Sequence, residues 1–200
     1  MSIEIVGPKA LFPSTIFIGK INPKNKEEIQ EDIIQKFENA NDNISLTKSN
    51  LIDNNIYQNL SDNILLLCYE YFQSLNYKNI KPRITCMWGV CINKDTNLYK
   101  HRHSNSFVSG VWYPFDTKVG LNFYKDDGNN FILPDRDDYN ILNSSEQKFI
   151  PFENACFLFP SSLLHDTDIN KSEIPRYSIS FNIFVTGNLG THETLNYLQL

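Results

Sequence analysis

A change of period near residue 81 constrains the fold more than any other feature. From there to residue 185 the chain is a succession of short segments: RITCMWGVCI, LYKHRHS, FVSGVWYP, VGLNFY, FIPFENACFLFP and RYSISFNIFV. Each is rich in β-branched or aromatic residues, and Gly, Pro, Asn and Asp punctuate them, as turns punctuate strands. Many short strands need an architecture that disposes of sheet edges. The expected class is therefore mainly β, with the strands arranged as a jelly roll.

The first 80 residues read differently. LFPSTIFIGKI, residues 11–21, suits an opening strand. In 24–39, Ile29, Ile33 and Phe37 recur four apart and define one helical face. Residues 61–76, SDNILLLCYEYFQSLN, predict a second helix with Ser61 as N-cap. The Asn/Asp-rich stretch 39–63 between them reads as loop. Helices followed by strands predict helices packed on one face of the sheet. A chain of 200 residues suits one domain. The expected division is a helical support region over 1–80, a jelly-roll core over 81–187 and a C-terminal tail over 188–200.

Charge and cysteine usage exclude several roles. The net charge is −5, from 18 Lys+Arg against 23 Asp+Glu, and no basic cluster stands out. Tight binding to nucleic acid is disfavoured. No apolar run is long enough to span a membrane. MSIEIVGPKALFPST lacks a basic region followed by an apolar stretch, so no secretory leader is expected. Cysteines 68, 86, 91 and 156 form no CxxC pair. They read as free thiols of a reducing compartment, and a cytoplasmic location is expected.

The candidate chemistry lies in the histidines. His101 and His103 form an HxH in strand-like sequence, where residues two apart project from one face. His165 follows 62 residues later, after FLFPSSLL, so only the fold can bring it to the same point. Three such ligands hold a metal on one side and leave open positions on the other, as non-haem iron(II) sites do. Zinc also accepts three histidines and a water. An HxH alone is equally compatible with a surface or core pair. His192, near the C-terminus, reads as a solvated residue.

RYSISFN, residues 176–182, strengthens the metal reading. Arg176, Ser178, Ser180 and Asn182 alternate with Tyr177, Ile179, Phe181 and Ile183, so one strand face is polar. Arg176 offers a planar fork matched to a carboxylate, and Ser178 adds a hydroxyl on the same face.

With these residues in place, the sequence resembles the iron(II)/2-oxoglutarate-dependent dioxygenases. That superfamily carries HxD, a distal His and then Arg-x-Ser. The matching pieces here are His101-Arg102-His103, His165 and Arg176-Tyr177-Ser178. The chain is similar in particular to a subgroup of 2OG-Fe(II) oxygenases found in marine bacteria and phages. LFPSTIFIGKI, HRHSNSFVSGVWYP, FLFPSSLLH, RYSISFNIFVTGNLG and LNYLQL carry this likeness in order along nearly the whole chain.

The resemblance implies a double-stranded β-helix with His101, His103 and His165 as the catalytic metal ligands. It implies Fe(II) and 2-oxoglutarate as cofactors, with Arg176 and Ser178 holding the far carboxylate of 2-oxoglutarate. It further implies that dioxygen converts the cosubstrate to succinate and CO2 while a substrate is hydroxylated. Tyr99, Ser109, Tyr113 and Asn122 are the further candidates for lining the cofactor site. Ordinary strand packing is the alternative for Tyr113 and the plainer reading of Ser109; Trp88 and Trp112 read as core or rim aromatics, and DRDD (135–138) as a solvated loop. Gly110 marks a place where strands approach closely. The substrate class stays open between a small molecule and a peptide, and the oligomeric state is not legible. If the lineage is viral, a host cytoplasm is the expected workplace.

One departure is plain: His103 stands where the superfamily has a carboxylate. A shifted register, His103 with Asn105, is the alternative. Two other readings also stand beside the oxygenase. One is a three-His cupin-like metalloenzyme that does not use 2-oxoglutarate. The other is a non-catalytic jelly-roll binding protein. Arg176-x-Ser178 separates them, because only the oxygenase needs a dicarboxylate clamp.

Overall fold

The computed structural model describes residues 13–38, 44–125, 135 and 137–200. Two antiparallel sheets face each other. The major sheet runs in the order β1 (Phe17–Lys20), β7 (Ala155–Pro160), β4 (Val108–Trp112), β9 (Arg176–Leu189), β3 (Ile80–Ile92) and β2 (Ile44–Leu46). The short β10 (Leu198–Gln199) pairs with the end of β9. The minor sheet has the order β6 (Glu146–Phe149), β5 (Leu121–Tyr124), β8 (Leu164–Thr167). Two sheets of short, non-sequential antiparallel strands form the expected jelly roll, the double-stranded β-helix.

Helix α1 (Lys26–Phe37) buries Ile29, Ile33 and Phe37, the face read from the sequence. Helix α2 (Gln58–Ser74) buries Leu60, Ile64, Cys68, Tyr71 and Phe72. Both lie against the outer face of the major sheet. Their apolar residues form one core with Met87, Cys91, Trp112, Leu158, Ile179, Phe181 and Ile183. Gly89 is required there, since a Cβ would meet the Ile33 side chain at 2.3 Å. A smaller core of Val111, Tyr113, Leu121, Phe123, Phe157 and Phe159 fills the space between the two sheets.

Several local expectations change. The stretch expected to be loop contains β2 and two short 3-10 turns at Leu51–Asp53 and Asn55–Tyr57, capped by the side chains of Asn50 and Asn54. Helix α2 starts three residues before Ser61, which is buried inside it instead of capping it. The segment expected as a strand around HRHS is irregular, with one bridge at His101. Two strands, β6 and β8, lie in sequence that shows no apolar alternation. Part of the 11–21 segment and Arg136 of DRDD fall outside the described residues; Asp135, Asp137 and Asp138 are exposed. The four cysteines are free, three of them buried. No described helix is long and apolar enough to cross a membrane.

Candidate metal centre and carboxylate clamp

The site is a cavity of about 360 Å³ between the sheets. Strand alternation builds its polar wall. On β9, Tyr177, Ile179, Phe181 and Ile183 turn to the helix core. Arg176, Ser178, Ser180 and Asn182 turn into the cavity. The two-residue period thus places a guanidinium, two hydroxyls and an amide in one row along the pocket.

His165 comes from β8 and points inward with Thr167, while Asp166 and Asp168 point outward. His101 lies directly opposite His165, and the two residues exchange both backbone hydrogen bonds at 2.9 and 3.0 Å. Their ring centroids are 4.3 Å apart. The backbone N–H of His103 donates to the carbonyl of Ser161 at 3.0 Å, which brings the third ring alongside. One ligand-capable atom from each of the three rings falls within 4.8 Å of the others.

The far nitrogen of each ring is already engaged. His101 Nδ1 lies 2.6 Å from the Tyr99 carbonyl, and His165 Nδ1 lies 2.8 Å from the Leu163 carbonyl. His103 Nδ1 lies 2.7 Å from Asn182 Oδ1. A carbonyl oxygen can only accept, so these contacts place the ring proton on Nδ1 and leave Nε2 as a lone pair. His103 Nε2 and His165 Nε2 then face each other at 3.3 Å. Burial lowers the pKa of His165 to about 3 and that of His103 below its usual value, so neither ring is charged near neutrality. Two buried lone pairs converging at that distance repel unless a cation lies between them, and the donor set fits a divalent metal of the imidazole-binding kind.

The other end of the cavity holds Arg176, 4% exposed. Its Nη2 donates to the Tyr113 hydroxyl oxygen at 2.8 Å, and its guanidinium lies 4.9 Å from the Tyr113 ring centre. Its Nε and Nη1, with Ser178 Oγ, are buried and have no hydrogen-bond partner. No carboxylate pairs with it among the described residues. A buried, unpaired cation beside open donors is costly, and the residues fit the planar carboxylate of an anionic ligand. Burial holds the Tyr113 phenol above its ordinary pKa, so it stays protonated beside the guanidinium.

The cavity thus takes in His101, His103, His165, Arg176, Ser178 and Tyr113. Trp88 also lines it, its ring 5.7 Å from that of His103. It does not take in Tyr99, Asn122 or Asn105. Tyr99 is 79% exposed, and only its backbone carbonyl serves the site. The irregular segment removes the strand parity that would have aligned its side chain with the histidines. Asn122 turns outward on β5, in register with Asp166, and donates to the Asp166 and Asp168 carboxylates at 3.0 and 3.1 Å. Asn105 is exposed in a turn with φ of 54°. Ser109, also a candidate, does not line the cavity but lies buried behind it, where its hydroxyl donates to Asn182 Oδ1, and Asn182 belongs to the polar face read from RYSISFN.

The jelly roll thus gathers three imidazoles at one end of its cavity and a buried arginine at the other, an arrangement that fits a metal ion and an organic acid. Residues 86–182 match the family model described as "Putative 2OG-Fe(II) oxygenase". No curated protein matches the chain in sequence. Solved structures share its fold at low identity. The non-heme alpha ketoglutarate dependent epimerase SnoN from nogalamycin biosynthesis is 9% identical, with TM-score 0.62 over 87% of this chain and 81% of its own. HygX from Streptomyces hygroscopicus, solved with nickel and 2-oxoglutarate bound, is 14% identical, with TM-score 0.61 over 85% and 82%. A Pseudomonas putida prolyl-4-hydroxylase is 11% identical, with TM-score 0.56 over 84% and 92%.

Proposed function

We propose that the protein is an iron(II)- and 2-oxoglutarate-dependent oxygenase that hydroxylates its substrate. The observation that carries this reading is Arg176: a buried guanidinium with two unpartnered nitrogens, in the same cavity as three converging imidazoles. His101, His103 and His165 would hold the metal through Nε2. When bound, iron and 2-oxoglutarate together supply the oxidising chemistry, in which dioxygen decarboxylates the cosubstrate to succinate and CO2 and oxygenates a C–H bond. Arg176 and Ser178 take the far carboxylate of 2-oxoglutarate and so fix its other end toward the histidines. Tyr113 holds the guanidinium in that orientation. Leu46, Trp88 and Leu98 add apolar lining to the cavity. Solved proteins of similar fold support the same assignment: SnoN in complex with Fe3+ and alpha ketoglutarate, and HygX with nickel and 2-oxoglutarate or with iron bound.

The test is uncoupled turnover. Protein incubated with Fe(II), ascorbate and 2-oxoglutarate should release succinate, and His101→Ala or Arg176→Met should abolish it. Iron binding without succinate would overturn this reading. It would favour a three-His metalloenzyme that does not use 2-oxoglutarate, a reading the all-imidazole cluster supports by itself.

A further inference from the structure

His101 and His165 share one device. Each places its Nδ1 on the backbone carbonyl two residues upstream, Tyr99 and Leu163 respectively. Their ring orientation is therefore written locally, by their own segments. His103 is different. Its Nδ1 meets a side chain 79 residues away, Asn182 Oδ1 at 2.7 Å. This is also the ring that stands where the superfamily has a carboxylate.

An amide can present oxygen or nitrogen, and only oxygen leaves His103 Nε2 free for a metal. Ser109 Oγ donates to the same Oδ1 at 2.9 Å. Ser109 is fully buried and contacts Ser161 Oγ at 2.8 Å. Ser161 contacts Ser106 Oγ at 2.8 Å, and Ser106 donates to the Val108 carbonyl at 2.9 Å. Each hydroxyl has one proton. The three protons go to Val108, to Ser106 and to Asn182, which leaves none for the Ser109–Ser161 contact, and Oδ1 receives two donors. A reversed amide would set Nδ2 against His103 Nδ1 and drive the ring proton to Nε2, where it would point at His165 Nε2.

We infer that Asn182, its Oδ1 held by the Ser109 hydroxyl, is the positioning residue that keeps His103 in its metal-ready tautomer. The inference rests on the reading of the three histidines as metal ligands. Ligand histidines whose outer partner is removed lose roughly 10–100-fold in metal affinity.

The probe is Zn(II), which is diamagnetic and needs no turnover. Zn(II) affinity is measured by competition titration, and the histidine ring N–H signals are read by ¹⁵N NMR. In the wild type, His103 should show a slowly exchanging Nδ1 proton, with and without Zn(II). Asn182→Leu should weaken Zn(II) binding by roughly 10–100-fold and expose that proton, leaving the His101 and His165 signals in place. Asn182→Asp restores an acceptor and should recover both. Ser109→Ala keeps the amide but removes the donor that orients it, and should give mixed tautomers at His103. The inference is overturned if Asn182→Leu retains wild-type affinity and proton protection, or if wild-type His103 carries its proton on Nε2. If Asn182→Leu does not fold, the wild-type and Ser109→Ala spectra decide. If the wild type binds no Zn(II), the ligand reading fails by itself, and the metal-free spectrum still judges Asn182.

Discussion

Arg176 and Tyr113 form the polar floor of the cavity: one guanidinium nitrogen donates to the phenol oxygen at 2.8 Å, and both side chains are buried. A phenol neutralises nothing, so the positive charge remains uncompensated. Arg176→Met should therefore raise the stability of the ligand-free protein by on the order of 1–3 kcal/mol, because it removes a buried charge. The same variant should lose the thermal stabilisation that 2-oxoglutarate gives the Zn(II)-loaded wild type, about 2.7 kcal/mol at a hundredfold excess over Kd. Thermal unfolding with and without 2-oxoglutarate reads both effects. A destabilised variant that still responds to 2-oxoglutarate would assign Arg176 to packing.

Tyr113→Phe removes only the hydroxyl. Arg176 keeps its charge and its ring contact but loses one acceptor. The expected cost in 2-oxoglutarate affinity is about 1 kcal/mol, roughly fivefold, the usual net worth of one such hydrogen bond. Zn(II) affinity should not change. Isothermal titration of each ligand separates the two.

What the sequence made legible was what alternation and spacing encode. Ile29, Ile33 and Phe37 announced one helix face. Arg176, Ser178, Ser180 and Asn182 announced a polar strand face, and it lines the cavity. Where the chain leaves regular structure, parity misled. Tyr99 has the parity of His101 and His103, but the segment between them is not a strand, so its ring stands in solvent. β8 was hidden for the opposite reason. Its inward residues are His165 and Thr167, polar because they face the site, so no apolar alternation marks it. The serines behind Asn182 come from two distant segments, 106–109 and 161, that only tertiary structure joins.

Asn122 supplies a control. It bonds the outward carboxylates of Asp166 and Asp168, on the reverse side of the strand that carries His165. Lys148 pairs with Asp168 on the same face. Asn122→Ala should cost on the order of 1 kcal/mol of stability and leave Zn(II) and 2-oxoglutarate affinities within twofold of wild type. A large loss of either affinity would show that the outer face of the minor sheet is coupled to the site.

Gly110 sits on β4 where a Cβ would lie 2.4 Å from the Phe181 ring and 2.6 Å from the Phe157 carbonyl oxygen. A phenylalanine ring can yield; a neighbouring strand's backbone cannot without moving β7. Gly110→Ala should destabilise the protein by about 1–3 kcal/mol, the usual range for overpacking. Urea unfolding would show it as a lower midpoint at unchanged slope. An unaltered midpoint would mean that the strand spacing is looser than these contacts require.

The metal-free protein should weaken in mild acid through His165. Burial lowers its folded pKa to about 3, whereas the unfolded chain titrates near the ordinary value of about 6.5. Between those values the unfolded state holds a proton that the folded state refuses, so stability rises with pH across that window and falls as pH drops through it. His103 acts in the same direction, its pKa also lowered first by burial. Each proton so excluded contributes a slope of about 1.4 kcal/mol per pH unit at full effect. Urea unfolding of the metal-free wild type at pH 7.5 and pH 5.0 should therefore show a larger loss than the same pair of measurements on His165→Leu, which cannot take up that proton. The difference between the two proteins should be on the order of 1–2 kcal/mol. Equal losses in both would mean that His165 is protonated in the folded state, and the neutral, metal-ready ring would have to be abandoned.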